Sequence, residues 1–240
     1  MKLTLSDSLI TLIFPQECRI CGNSVEIFGN GIACENCWLN TTIFNGSEAL
    51  CEKCGEYLSS TRGKSKVICN RCSEHFFDCA RAGGLYEGAL GASVLELKEK
   101  NNIGKTFKNV IVNGFELSGF KNADILIPVP ISKRRLLERG YNQSESIARL
   151  IARTFNLPIS TNVLRRKKHE IKLRTGMDRR GRELSVKAAF EINNRRTIEG
   201  KKVIVIDDVV TSGATASACA KVIKKAGADA VFVYSAARTR

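Results

Sequence analysis

The chain has 240 residues, 43% of them hydrophobic, with 38 Lys plus Arg against 24 Asp plus Glu and ten cysteines. An apolar fraction near one half supplies the buried surface that ordering requires, which excludes a wholly disordered chain, and the length suits one full domain with a small one beside it. No run approaches the ~18–20 apolar residues of a membrane span. The apolar stretch Leu9 to Phe14 is short, follows Asp7 and lacks a small-residue cleavage site, which argues against a secretory signal. We therefore expect no membrane insertion and a cytoplasmic location, where clustered thiols serve as metal ligands more often than as disulfides.

The formal net charge of +14 is unevenly spread. Residues 1–83 hold 8 Lys/Arg and 9 Asp/Glu, a net of −1, whereas residues 132–182 hold 15 and 4, a net of +11. Clustered cations focus potential and release counterions on binding, which points to a phosphate-bearing partner, nucleic acid or phosphorylated small molecule. A solvated basic surface is the plain alternative.

Eight cysteines form four C-x-x-C pairs, Cys18/Cys21, Cys34/Cys37, Cys51/Cys54 and Cys69/Cys72, separated by 12, 13 and 14 residues. Two thiolates at this spacing sit on one tight knuckle, and two knuckles complete a four-thiolate tetrahedral site, so two structural zinc ions are expected. Disulfides or a redox C-x-x-C are disfavoured, because a redox motif comes singly on a βαβ unit. Gly22 and Gly55 follow the second cysteine of their pairs, where a knuckle turn calls for positive φ. Consecutive pairing makes one ribbon of Cys18, Cys21, Cys34 and Cys37 and a second of Cys51, Cys54, Cys69 and Cys72; a crossed arrangement satisfies the same spacing. Between Cys18 and Phe76 the large aromatics are Phe28, Trp38, Phe44 and Tyr57, too few for much core, so metal is expected to hold residues 1–80 together. His75 and Cys79 have the wrong spacing to be ligands, and Cys219 reads as a small buried hydrophobe.

From residue 81 onward strands alternate with helices. Helices are expected near Ala89–Lys100 and Lys105–Leu117, then a buried strand in Asp124–Pro130 ended by prolines, then a helix over about Ser144–Phe155 with Ile147, Leu150 and Ile151 on one face. A short strand near Val163 precedes a long polar loop and a helix that Asp178 would cap. An apolar strand, Val203–Asp207, leads through a small-residue loop to a helix at Ala214–Ala226 stopped by Gly227, and Ala230–Ala236 is the last strand. This alternation implies an α/β domain over residues 81–240, with a mainly parallel sheet flanked by helices and ligands bound at the carboxyl ends of the strands.

At such an end stands V-I-V-I-D-D-V-V-T-S-G-A-T. Two carboxylates, Asp207 and Asp208, are expected to leave the strand, and Thr211, Ser212, Gly213, Ala214 and Thr215 open the next helix. Backbone N–H groups, the positive helix end and three hydroxyls make a cradle for a monoester phosphate, with the carboxylates placed to accept from vicinal ribose hydroxyls. The segment is neither a Walker loop nor a G-x-G-x-x-G turn. The bland alternative is a solvated strand end and a simple turn.

These residues resemble the phosphoribosyl-pyrophosphate (PRPP) motif of type I phosphoribosyltransferases. The wider pattern resembles the ComF family of competence-associated proteins: the four C-x-x-C pairs, Y-E-G-A-L with Leu97-Lys98, P-V-P-I-S-K-R-R-L-L-E-R-G-Y-N-Q-S (Pro128 to Ser144) and the 203–215 loop. The resemblance implies a double zinc ribbon followed by a type I phosphoribosyltransferase-like domain, a role in natural transformation handling incoming single-stranded DNA, and PRPP-loop chemistry, for which phosphoribosyl transfer needs Mg²⁺. A further reading is an adaptor whose near-neutral ribbons dock a competence helicase or recombination partner. It departs from the family in the stretch R-T-G-M-D-R-R-G-R-E-L-S, where Arg174 stands for a Gln, Met177-Asp178 for Leu-Ser and Arg182-x-x-Ser185 for Arg-x-x-Asn. The same loop is rich in cations, among them Arg165, Arg166, Lys167, Lys168 and Lys172.

Phosphoribosyl transfer also needs cations for the leaving pyrophosphate. Ile131 to Arg135 follows the first core strand, where the resemblance places those contacts, and Lys133 and Arg134 would supply them. Arg139, Asn142 and Gln143 lie just beyond and would bind phosphate or an acceptor; helix capping by Asn142 and surface solvation are the alternative. Only Tyr141 and Phe155 interleave with the basic segment, a poor stacking platform, so single-stranded DNA would be held mostly by charge. The alternative function is an active phosphoribosyltransferase with an unknown acceptor.

Overall fold

The computed structural model describes residues 16–25, 29, 31–58, 67–167 and 189–240. Within the N-terminal part the two ribbons repeat one local design. Cys18 N–H donates to Asn23 O (2.7 Å) and Gly22 N–H to Cys18 O (2.9 Å); Cys51 N–H donates to Glu56 O (2.8 Å) and Gly55 N–H to Cys51 O (2.8 Å). Both closing glycines are left-handed, φ 75° at Gly22 and 68° at Gly55, as the knuckle spacing led us to expect. The second pair of each ribbon starts a helical turn: Cys34 precedes α1 (Glu35–Leu39), and Cys69 precedes a 3₁₀ turn (Asn70–Glu74).

The second domain is built on a four-stranded sheet of β1 (Cys79–Ala82), β6 (Ala230–Arg238), β5 (Lys202–Val210) and β2 (Ile125–Pro128), in that order across the sheet. Every neighbouring pair is parallel. The open edge of β2 is partly covered, since Leu126 N–H donates to Pro158 O and Ser160 N–H to Leu126 O. A two-stranded antiparallel ribbon, β3 (Leu164–Arg166) with β4 (Phe190–Ile192), forms a second sheet whose Leu164 and Phe190 are buried in one core with Ile127 and Val205.

Both faces of the sheet are covered, as parallel pairing demands. On one face α2 (Gly88–Glu99), α3 (Lys105–Leu117) and α5 (Gln143–Phe155) bury Leu90, Leu97, Phe115 and Ile147 against Ile204, Ile206 and Tyr234. On the other, α6 (Ala214–Lys225) buries Cys219 and Ile223 against Val203, Val205 and Val233. Cys219 is fully buried.

The ribbons dock on this domain. Trp38 joins the first of these cores, Thr41 Oγ1 accepts from Ala89 N–H at the start of α2 (2.9 Å), and Phe44 N–H donates to Gly83 O (3.0 Å). The second ribbon runs into β1 without a linker, and residues 80 and 81, the expected boundary, are both inside that strand. An alanine at position 55 would place its Cβ 2.6 Å from Ala80 O, so the close approach of knuckle to strand also needs glycine there.

Two expectations require correction. β5 continues to Val210, pairing Asp207 with Ser235 and Val210 with Arg238, so the two carboxylates lie within the strand and do not leave it. The backbone stays extended because β6 is equally long and Val209 and Val210 continue its apolar run. Residues 133–139, where no helix is expected from the sequence, form a short one, α4 (Lys133–Arg139), capped by Ser132, whose hydroxyl accepts from Arg135 N–H. None of its residues is buried, so it has no apolar stripe to betray it. The expected helix capped by Asp178 and the side chains of Lys168, Lys172, Arg174 and Arg182 lie outside the described residues, as does Phe28.

Candidate phosphate-binding site and zinc centres

The eight paired cysteines assemble into two groups, Cys18, Cys21, Cys34 and Cys37, and Cys51, Cys54, Cys69 and Cys72, each with its sulfur atoms mutually within 4.8 Å. The pairing is consecutive. Sulfur separations are 3.7 Å for Cys18–Cys37, 3.6 Å for Cys21–Cys34, 3.4 Å for Cys51–Cys72 and 3.5 Å for Cys54–Cys69. A tetrahedral Zn²⁺ with Zn–S bonds of ~2.3 Å needs sulfurs ~3.8 Å apart, and no cysteine is in a disulfide, so the donor sets fit structural zinc. Burial pushes the Cys18 and Cys51 thiols up, but backbone N–H groups aimed at their sulfurs outweigh it and bring each down to about 6. Burial and the neighbouring sulfurs raise Cys37 and Cys72. Four converging thiolates repel one another unless a cation sits among them. His75 and Cys79 belong to neither group.

The other centre lies at the carboxyl end of β5. Asp207 and Asp208 are adjacent on β5, and each meets a helix of the α2, α3 and α5 layer. Asp207 Oδ1 accepts from Ser144 Oγ at the start of α5 (3.0 Å) and from Asp208 N–H (2.9 Å). Asp208 Oδ2 pairs with Lys98 Nζ of α2 at 3.3 Å. Burial first, and then the Asp208 charge, push the Asp207 carboxyl up to about 8. The contacts of Ser144 and Lys98 with the two carboxylates link segments distant in sequence, which no local spacing reveals.

Beyond β5, Thr211 and Ser212 are exposed and Gly213, at φ 75°, turns the chain into α6. Only Gly comfortably adopts that conformation at the entrance to a helix. Ser212 Oγ accepts from Ala214 N–H (3.4 Å), while Ala214 and Thr215 present first-turn N–H groups, which have no partner within a helix. The result is an open turn of N–H groups and hydroxyls at the positive end of a twelve-residue helix, beside two carboxylates.

The remaining candidates lie at the same edge of the sheet, because β2 ends alongside Ile206. Asn142 caps α5, accepting from Ser144 N–H (3.2 Å) and donating to Val129 O (3.0 Å). Gln143 is 3% exposed, and its Oε1 has no hydrogen-bond partner among the described residues. Lys133 and Arg134 project from α4 into solvent, Arg134 pairing with Glu138 at 2.7 Å, and Arg139 closes that helix. Neither aromatic of the basic segment is a stacking platform: Tyr141 OH donates to Leu97 O (2.7 Å), and Phe155 packs on Phe115 at 4.9 Å. Among the described residues no helix is long and apolar enough to cross a membrane.

Comparison with known proteins agrees with this division. A double zinc ribbon domain matches residues 9–76 and a phosphoribosyl transferase domain residues 142–239. Fold and site thus define a double zinc ribbon joined to a phosphoribosyltransferase-type domain. Over nearly its whole length the chain is similar to curated competence and DNA utilization proteins. It is 26% identical to competence protein F of Haemophilus influenzae over 234 residues, covering 94% of this chain and 98% of that one. It is 25% identical to the DNA utilization protein YhgH of Escherichia coli K12 over 236 residues, 95% and 99% of the two chains. Competence protein ComFC of Bacillus subtilis is 32% identical over 103 residues, 43% of this chain and 39% of that one. Among solved structures, an allosteric regulatory enzyme of purine biosynthesis is 25% identical with a TM-score of 0.33, the match spanning 47% of this chain and 21% of that one.

Proposed function

We propose that this protein acts in competence and DNA utilization, binding a 5-phosphoribosyl ligand of the PRPP type at the end of β5 and single-stranded DNA along its basic face. The observation that carries the small-molecule half is the juxtaposition of Asp207 and Asp208 with the open helix entrance at Thr211–Thr215. The loop takes the 5′-phosphate, and the carboxylates accept from the ribose hydroxyls. Mg²⁺ accompanies PRPP, held chiefly by the pyrophosphate oxygens. Lys133, Arg134 and Arg139 lie at the same edge, where the pyrophosphate or a DNA backbone would meet them. The relatives' names, competence protein and DNA utilization protein, support the wider role.

PRPP with Mg²⁺, in hundredfold excess over its Kd, raises the melting temperature by roughly 5 °C or more, given ~2.7 kcal/mol of linkage and ~2–4 °C per kcal/mol for a chain of this size. The Asp207→Ala variant loses that rise while remaining folded. An unchanged wild-type melting temperature overturns the PRPP site. Single-stranded oligonucleotide affinity, read by fluorescence anisotropy, falls roughly tenfold or more between 50 and 200 mM salt, since phosphate contacts release counterions and the aromatics are occupied elsewhere. Salt-independent binding, or none, overturns the DNA half.

A further inference from the structure

The second zinc ribbon reaches the phosphate loop. His75, set aside as a zinc ligand by its spacing, lies over Gly213: a Cβ there would be 3.0 Å from His75 Cε1 and 3.2 Å from Nε2. The imidazole stacks on Phe77, with ring centroids 4.7 Å apart and planes at 22°, which fixes the direction of its outer edge. Its segment is fastened on three sides. Lys53 Nζ, from within the Cys51/Cys54 knuckle, donates to His75 O (2.9 Å). Phe76 N–H donates to Ser217 Oγ (3.1 Å), and that hydroxyl donates in turn to Glu74 O (3.4 Å), tying residues 74–76 to the first turn of α6. Arg238 Nη1, at the end of β6, donates to the Cys54 carbonyl.

These contacts enclose a small cleft in which His75 and Arg238 face Thr211, Ser212 and Gly213, with Glu56 also on its wall. The Glu56 carboxylate opposes an anion, so a phosphate at the loop would turn towards the hydroxyls, Arg238 and the edge of the imidazole. Resting on the phosphate site proposed above, we propose that His75 is a ligand-contacting residue of that site: the second zinc ribbon carries an imidazole donor to the phosphate held by the 211–215 loop. The ribbon then serves as one wall of the site as well as a scaffold. Sequence spacing hides this role, since His75 and Gly213 meet only through the docking of the two domains.

The test is calorimetric titration of the full-length, zinc-loaded protein with ribose 5-phosphate, comparing wild type with His75→Ala, His75→Phe and His75→Gln, each checked for zinc content and melting temperature. His75→Phe keeps a ring to stack on Phe77 and cover Gly213 but has no donor; His75→Gln keeps a donor and loses the ring. The proposal expects roughly tenfold or greater weakening for Ala and for Phe alike, the scale of one hydrogen bond to a charged group, with Gln retaining most of the affinity. Wild-type affinity in the Phe variant overturns it in favour of a packing role, and so does wild-type affinity in the Ala variant. Loss of zinc from all three variants makes His75 a structural residue and also overturns it. In each of those outcomes the phosphate site stands. A wild type that binds neither ribose 5-phosphate nor PRPP removes the phosphate site, and this proposal with it.

Discussion

Stripping zinc from the folded protein with a strong chelator lowers the melting temperature of the main transition by roughly 10 °C or more, with no separate ribbon transition left behind. Structural zinc at a four-thiolate site contributes apparent binding free energies of ~10–16 kcal/mol to the folds it holds. Here the ribbons are not an appendage that unfolds alone. Trp38 is part of the core formed with Leu90 and Leu97, the second knuckle is continuous with β1, and Arg238 donates across to Cys54. Losing even ~3–5 kcal/mol of this coupling to the second domain gives the stated shift, at ~2–4 °C per kcal/mol. Differential scanning calorimetry paired with metal analysis measures it, and Cys72→Ser, which removes a buried ligand from the second group, acts in the same direction. A main transition unmoved after both ions are lost sinks the idea that the metal sites support the second domain.

What was legible in the sequence follows from how local each constraint is. The zinc sites could be read because their ligands come as pairs three residues apart and their turns need Gly22 and Gly55. The α3 boundaries, Lys105–Leu117, matched because periodicity and length coincide there. The helix Lys133–Arg139 was missed because it buries nothing and reads as a run of charge around Leu136 and Leu137, both exposed. The three-residue strand Phe190–Ile192 was missed because its partner is a strand more than twenty residues earlier, and so short a run has no period of its own. Asp207 and Asp208 stand out in the sequence as candidate site residues, but the side chains they meet, Ser144 and Lys98, come from two different helices. The same holds for His75 above Gly213. Sequence order names the groups at this site; the docking of distant elements decides their neighbours and thereby their protonation.

Asp207 shows the consequence. Replacing it with Asn makes the free protein more stable, and the gain grows with pH. The carboxyl is pushed up to about 8 in the fold against an ordinary value of 3.8, so between those limits the folded protein keeps a proton that the unfolded chain has released. Stability falls as pH rises wherever the folded state binds more protons, so this group's contribution is complete below pH ~4 and is lost progressively as pH climbs to ~8. Asn keeps an oxygen to accept from Ser144 Oγ and Asp208 N–H yet never ionises, which removes the loss. At ~1.4 kcal/mol per pH unit, discounted for the group's partial exposure, the advantage of Asp207→Asn over wild type widens by ~2–3 kcal/mol between pH 5 and 8, or roughly 5 °C, and flattens above. Thermal melts of both proteins across that range measure it; a constant difference from pH 5 to 8 shows that the folded carboxyl is ionised throughout. Under the proposed function the same substitution weakens PRPP binding, because a ribose hydroxyl donates more strongly to a carboxylate than to an amide. Wild-type affinity for PRPP should then rise towards pH 8 while the stability of the free protein declines, the two trends sharing one carboxyl group. On that reading, holding Asp207 against its own ionisation until ligand hydroxyls arrive would exchange stability in the empty protein for discrimination in the bound one.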